Sequence, residues 1–277
     1  MTLKTPMFAS SSHVACPRGI APTAAAVLVA LATAACGRVG FDTVQSGRDT
    51  PDAGIDATSD PVGTGQPDAG PAGIALIQQT TGSKPSATSA SATLPRPTVP
   101  GDLLVVVGGD DGGLMSGVTG GGVASWSRAT ASDKHANIEI WYGVVTTASS
   151  SAVTLASDAT GNARLNVTEW SGLVPRQADV LDAAAAQPGT ADKATAPSIT
   201  TTHAGDLIVF AVSDYDPNSF EVPKDGSWST MTSVDLVGHY TESSWFQIVS
   251  AAGAVQPRVD QTANNWEAGI AAFKIAP

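Results

Sequence analysis

Gly101-Asp-Leu-Leu-Val-Val106 is the stretch that decides the fold of this chain, because it returns as Gly205-Asp-Leu-Ile-Val-Phe210. The offset of 104 residues from Gly101 to Gly205 also carries Trp141-Tyr-Gly-Val-Val145 onto Trp245-Phe-Gln-Ile-Val249. Self-similarity at a fixed offset indicates a structural unit that occurs more than once. The sequence therefore predicts two pseudo-repeated halves.

Short β-type runs broken by Gly, Ser, Asn and Pro fill residues 73–277, and none has a sustained helical period. This pattern predicts an all-β fold, a two-sheet antiparallel β-sandwich of jelly-roll type. Leu181–Ala186 is the best helix candidate, although it is too short to be stable alone. The clearest strand candidates are Ile74–Gln79, Asp102–Val107, Ile138–Val145, Val153–Leu155, Ala163–Trp170, Asp206–Val212, Ser244–Val249 and Ala268–Ile275.

Two arrangements of the halves remain open from the sequence. They interleave into one jelly-roll-like sandwich, or they form two immunoglobulin-sized sandwiches in tandem. We favour one domain over residues 73–277, because Ile74–Gln79 has no equivalent ahead of the second half. That segment is well placed to pair with the last strand, Ala268–Ile275.

The N-terminal region reads as an export signal followed by a tether. Lys4 and Arg18 are the only charges before Leu31-Ala-Thr-Ala-Ala-Cys36, which ends an apolar run, and these are the parts of a secretory signal. Residues 36–72 are rich in Asp, Pro, Gly and Ala and have few large apolar side chains. Such a segment cannot offset the entropy of ordering, so it predicts a disordered tether.

The stretch ending at Cys36 resembles the lipobox of bacterial lipoproteins, with Thr33 where that motif prefers Leu. The resemblance implies a signal peptide over 1–35, a lipidated Cys36 and anchoring of the chain to a membrane. Gly37 follows the cysteine, which in that family implies an outer-membrane lipoprotein on the periplasmic or cell-surface face. An ordinary signal peptide with a coincidental cysteine is the alternative.

Charge and cysteine content narrow the expected partners. The chain has 14 Lys+Arg and 25 Asp+Glu, and removing Lys4 and Arg18 with the signal takes the net charge from −11 to −13. Such a surface repels phosphate backbones, so nucleic acid is not an expected partner. Since Cys36 would be the one cysteine left, stability must come from a core rather than from a disulfide.

Residues 73–277 also resemble a secreted bacterial β-sandwich domain of concanavalin- or laminin-G-like architecture. The resemblance rests on the two Gly-Asp-Leu strands, on the Trp-Tyr strand at Trp141 and on Val167-Thr-Glu-Trp-Ser-Gly-Leu173. That family carries no settled activity, so the resemblance implies a fold and almost no chemistry.

Catalytic signals are poor. His135, His203 and His239 lie in no HExxH spacing, and the chain has no Gly-x-Ser-x-Gly elbow. Asn137-Ile-Glu-Ile-Trp-Tyr142 resembles the catalytic strand of jelly-roll glucanases, but it supplies Glu139 alone, whereas retaining hydrolysis needs two carboxyl groups. We therefore expect no enzyme activity.

Acidic and aromatic residues supply the candidate ligand contacts. Asp110, Asp111, Asp214 and Asp216 end equivalent strands and would suit a calcium site in a rim loop, with solvated turns as the alternative. Asp102 and Asp206 are expected to cap turns. Glu169 and Trp170 are candidate ligand contacts, whereas the repetition of Trp126 and Trp141 as Trp228 and Trp245 favours packing.

Three functions fit these features. The first is a non-catalytic, lipid-anchored binding or adhesion module of the cell envelope, with a glycan or envelope polymer as ligand. The second is a glycan hydrolase with an unrecognised site. The third is a purely structural envelope lipoprotein.

Replacing the proposed lipid acceptor tests the anchor. We predict that Cys36→Ser abolishes lipid labelling and membrane fractionation, because a diacyl group anchors stably and the variant has no other acceptor after the small residues. Cys16→Ser, inside the signal, is the matched control and should leave both unchanged. A Cys36→Ser chain that still fractionates with membranes in a detergent-sensitive form would contradict the assignment.

Overall fold

The computed structural model describes residues 73–131, 138–148, 151–214, 220–231, 234–236, 240–262 and 265–277. Within these ranges the chain is almost entirely antiparallel β-structure, in two six-stranded sheets and two small two-stranded sheets. The predicted all-β, two-sheet sandwich is confirmed. The signal 1–35, Cys36, the tether 36–72 and Asp216 lie outside the described residues.

The first half builds one sheet in the order β1-β6-β2-β5-β4, and β3 also pairs with β6. Its strands are β1 (Ala75–Thr93), β2 (Leu103–Gly109), β3 (Met115–Gly120), β4 (Ser127–Thr130), β5 (Glu139–Val144) and β6 (Ala152–Ser171). A single-turn helix, α1 (Gln177–Val180), leads into the second half.

The second half repeats this topology. Its large sheet has the order β7-β16-β10-β13-β11, with β12 paired to β13, and the small sheets pair β8 with β15 and β9 with β14. The strands are β7 (Leu181–Gly189), β8 (Lys193–Thr195), β9 (Ile199–Thr201), β10 (Leu207–Asp214), β11 (Ser229–Thr230), β12 (Val234–Leu236), β13 (Tyr240–Ile248), β14 (Gly253–Val255), β15 (Arg258–Asp260) and β16 (Trp266–Phe273).

The repeated motif begins with a glycine because the backbone there requires one. Gly101 and Gly205 have φ of 94° and 90°, a conformation that a residue with a Cβ rarely adopts. The aspartate comes next, and the apolar strand that follows it is β2 in the first half and β10 in the second. The motif therefore marks the same turn into the same central strand in both halves.

The central strands are continuously apolar because both of their faces are buried. In β2, Leu103 and Val105 face one apolar cluster, whereas Leu104 and Val106 face another. β10 divides in the same way, with alternate residues in two clusters. Side chains alternate across a strand, so a run without polar residues predicts a strand covered on both sides.

The two large sheets face each other across one shared core, to which both halves contribute. Trp170 of the first half packs edge-on against Phe246 of the second, with ring centroids 4.8 Å apart. Tyr142 and Phe273 form a second aromatic pair between the halves, at 5.5 Å. Each sheet thus covers the inner face of the other.

The outer face of each sheet is covered by strands of its own half. In the first half, the ends of the long strands β1 and β6 pair with each other and cover Leu104 and Trp141. In the second half, the small sheets β8/β15 and β9/β14 cover Phe210 and Trp245 in the same way.

A buried ion pair joins the two halves at one end of the shared core. Arg164 Nε of β6 lies 3.0 Å from Glu242 Oε2 of β13, and Arg164 Nη2 donates to Ser213 Oγ at 2.6 Å. Burial raises the pKa of Glu242 to about 7, although the Arg164 charge opposes that shift. This ion pair restricts how the two sheets are placed relative to each other, because separating Arg164 from Glu242 would leave a buried charge unpaired.

Two sequence-based expectations about strands are wrong. Leu181–Ala186 belongs to strand β7, because its alternate alanines pack on both sides of the second sheet and override the helix preference of Ala. Ile74–Gln79 does not pair with the last strand: β1 pairs with β6, and its counterpart, β7, pairs with β16. Each half, within the described ranges, completes its own sheet without exchanging strands.

The C-terminus is held against the segment that links the halves. Leu173 forms a bridge with Ile275, and the backbone of Lys274 bonds that of Val174 and Val180. Among the described residues, the structure contains no helix long and apolar enough to cross a bilayer.

Candidate functional site: two related carboxyl pairs and a charged groove

The aspartate of each Gly-Asp-Leu motif lies beside a second carboxyl group. In the first half Asp102 hydrogen-bonds Glu169, whose side chain is 0 % exposed. Glu169 also accepts hydrogen bonds from the backbone N of Val99, at 2.7 Å, and from the side-chain amide of Gln78. Burial, and then the negative charge of Glu169, raise the pKa of Asp102 to about 6.

In the second half, the partner of the motif aspartate comes from a different strand, β7, whereas Glu169 of the first half lies in β6. Asp206 is the motif aspartate, and its partner is Asp182, the extra residue of a β-bulge where β7 pairs with β16. β1 bulges at the equivalent position, where Ile77 is the extra residue. The second carboxyl group of this pair therefore replaces an apolar side chain of the first half.

Thr202 and His203 complete the second pair. Asp182 accepts hydrogen bonds from the backbone N and from the hydroxyl of Thr202, both at 2.6 Å. His203 Nδ1 lies 2.7 Å from the same hydroxyl oxygen. Donor atoms of Asp182, His203 and Asp206 lie within 4.8 Å of one another, the one such group of three metal-binding side chains in the described part of the chain.

The two carboxyl groups of this pair differ in proton affinity. Burial, together with the hydrogen bond and charge of Asp182, raises the pKa of Asp206. Burial acts the same way on Asp182, but hydrogen bonds from Thr202 and Asp206 and the charge of Lys274, 3.8 Å away, hold its pKa below the usual value. Asp182 is thus the stronger acid of the pair, and Asp206 binds a proton more readily.

A charged groove lies on the outer layer of the second half. Its volume is about 210 Å³. Lys224 bridges its rim, with ion pairs to Glu221 at 3.2 Å and Asp260 at 3.3 Å. The groove is lined by Lys193, Glu221, Val222, Lys224, Asp225, Arg258, Val259 and Asp260.

The sequence-predicted ligand contacts Glu169 and Trp170 are both buried. Glu169 is held by Gln78 and Val99, and the Trp170 indole N–H donates to Thr168 at 2.8 Å. Neither side chain reaches the surface in this structure. A ligand would contact them only if the first half opened.

The residues proposed for calcium are either buried or hydrogen-bonded to other residues of the protein. Asp111 accepts from the backbone and side-chain nitrogens of Asn162, both at 2.6 Å, and Asp110 accepts from Gly112 N at 2.8 Å. Asp214 is buried in the second sheet. With Asp216 outside the described residues, the calcium site stays a prediction.

The repeated tryptophans and Glu139, which the sequence also singles out, pack or hydrogen-bond within the fold. Trp141, Trp228 and Trp245 lie in the outer apolar clusters, and Trp126 packs partly buried against the first of them. Glu139 is 0 % exposed, and it accepts from the Trp141 indole at 2.7 Å.

Sequence reasoning missed Asp182 and the groove. Asp182 lies within the predicted helix Leu181–Ala186, and only the bulge places its carboxyl group beside Asp206.

Comparison of the chain with family models, with curated proteins and with solved structures finds no match.

The Asp102–Glu169 pair predicts a pH-dependent stability. The pKa of Asp102 is higher in the folded chain than in the unfolded chain, so protonated Asp102 stabilises the fold. This contribution is fully present below about pH 4 and is lost as pH rises through about 6. Asp102→Asn cannot ionise and still donates to Glu169. We expect it to raise the free energy of unfolding at pH 7.5 by about 1 kcal/mol, a value discounted because Asp102 is partly exposed, and to change little at pH 4.

Urea denaturation at the two pH values measures this difference. Asp192→Asn removes an exposed carboxylate and is the control, with no pH-dependent gain expected. An Asp102→Asn effect of the same size at both pH values would contradict the raised pKa of Asp102.

Proposed function

We propose that this chain is a non-catalytic, lipid-anchored binding or adhesion module of the bacterial cell envelope, and that it contacts its ligand through the charged groove of the second half. One observation carries the proposal. The groove has charged side chains at positions where the repeat-related strands of the first half carry small neutral ones.

Strand register makes this comparison residue by residue. In the second half Arg258 pairs with Thr195 and Asp260 with Lys193. The pairs at the same 104-residue offset in the first half are Thr154 with Ser91 and Ala156 with Ser89. Because Ser, Thr and Ala suffice for the same strand pairing there, the fold does not require Lys193, Arg258 and Asp260 to be charged.

The chemistry of the groove fits a polar, charge-bearing polymer. Lys193, Lys224 and Arg258 supply donors, and Glu221, Asp225 and Asp260 supply acceptors. Lys224 is 72 % exposed, and ion pairs of that kind contribute little, so a ligand exchanges for them at low cost. A volume of about 210 Å³ suits one unit of a chain rather than a drug-sized molecule.

Recognition would rest on hydrogen bonds and charge. The large hydrophobic residues exposed in the described part of the chain are Val99, Leu114, Val222 and Ile248, so no aromatic ring among them offers a stacking surface. A glycan or envelope polymer with hydroxyl and acidic groups matches such a groove. The lipid on Cys36 and the 36–72 tether would hold the domain within reach of this polymer; a flexible tether of this length spans roughly 30 Å on average.

A binding screen of the full chain against peptidoglycan and neutral and acidic polysaccharides tests the proposal. We predict that Lys193→Ser with Arg258→Thr, which installs residue types of the first half, weakens binding at least about tenfold, or by roughly 1.4 kcal/mol. Lys84→Ser with Arg176→Thr makes the same change in charge elsewhere and should bind like the parent.

Three outcomes would contradict the proposal. Equal binding by the groove variant and its control would exclude the groove. Failure of the parent chain to bind any polymer would exclude the binding function. Turnover of a polysaccharide would show that the protein is a hydrolase.

A further inference from the structure

We propose that Asp182, His203 and Asp206 bind a divalent transition-metal ion, with Zn²⁺ the best match. Asp182 lies in the bulge of β7 and His203 in the loop before β10. Asp206 is the motif aspartate, directly before β10. Their donor atoms already lie within 4.8 Å of one another. This site is separate from the charged groove, and the proposal does not depend on the proposed function.

The donor set suits a borderline metal ion. Zn²⁺ binds imidazole nitrogen and carboxylate oxygen, and three protein ligands leave a fourth position for water or a ligand. Ca²⁺ prefers six to eight oxygens and is disfavoured by the imidazole. The Asp182 side chain is 2 % exposed and Asp206 is fully buried, whereas His203 is exposed, so an ion would enter from the histidine side.

A hydrogen-bond chain prepares the imidazole for this role. The Thr202 hydroxyl donates to Asp182 Oδ1 at 2.6 Å, so its oxygen is left to accept the proton of His203 Nδ1, 2.7 Å away. That tautomer carries its lone pair on Nε2. A hydrogen-bond acceptor that fixes the tautomer through the other ring nitrogen is typical of metal-binding histidines.

The first half is an internal comparison that lacks the metal-binding features. Val99 stands at the offset position of His203. The side-chain amide of Gln78 donates a hydrogen bond to Glu169 of the first carboxyl pair. The counterpart of Gln78 in the second half is Ala183, because each of the two residues directly follows the bulge of its strand. The first carboxyl pair is thus sealed by an amide, whereas the second has no such amide and has an imidazole at its mouth.

Lys274 is the cation that faces the proposed site. Its Nζ lies 3.8 Å from Asp182 Oδ1, and a bound ion would displace it from that carboxylate.

The test uses the full chain carrying Cys16→Ser and Cys36→Ser, so that no thiolate competes for the metal. Titration calorimetry with Zn²⁺ at pH 7.5 should give one ion per chain, and bound Co²⁺ should show visible d–d absorption. His203→Val, the residue of the first half, should weaken Zn²⁺ binding at least about tenfold and abolish the Co²⁺ spectrum. His135→Val is the matched control and should change neither.

Several outcomes would overturn the proposal. Equal Zn²⁺ affinity in the parent and in His203→Val would exclude the site, as would loss of binding in His135→Val. Tighter binding of Ca²⁺ than of Zn²⁺ would show that the imidazole is not a ligand. Asp182→Ile, which installs the bulge residue of the first half, is a second test variant. Zn²⁺ binding retained by this variant would also overturn the assignment.

Discussion

The need to cover two apolar faces of each central sheet governs this structure. A half supplies an outer layer for its own sheet, but the inner face, with Leu103 in one half and Leu207 in the other, is buried only against the opposite sheet. Burial of apolar surface is the main favourable term in folding, and neither half buries its inner face alone. The Arg164–Glu242 pair then restricts how the sheets are placed.

The sequence predicts the parts of the fold that repeat and alternate. The 104-residue offset gave the two halves, and the unbroken apolar run at Leu103–Val107 indicated strands covered on both faces. Leu181–Ala186 was misassigned because alanine favours helices locally, whereas tertiary pairing with β16 decides its state. The Asp182–Asp206 contact depends on a bulge, which no local pattern of residues announces.

The repeat also separates structural from functional candidates, since the first half is a reference for what the fold requires. Both halves keep the glycine with positive φ and a second carboxyl group beside the motif aspartate. Only the second half adds His203 to that pair, and it has the charged Lys193, Arg258 and Asp260 where the first half has Ser89, Thr154 and Ala156. Departures from the shared pattern are the positions where binding chemistry is expected.

Differential scanning calorimetry of the full chain tests the central claim, that the halves are stable only together. Because they share one core, the account predicts a single unfolding transition over residues 73–277, with equal calorimetric and van't Hoff enthalpies. Two separable transitions, or a calorimetric enthalpy about twice the van't Hoff value, would show that each half folds on its own and would contradict the account.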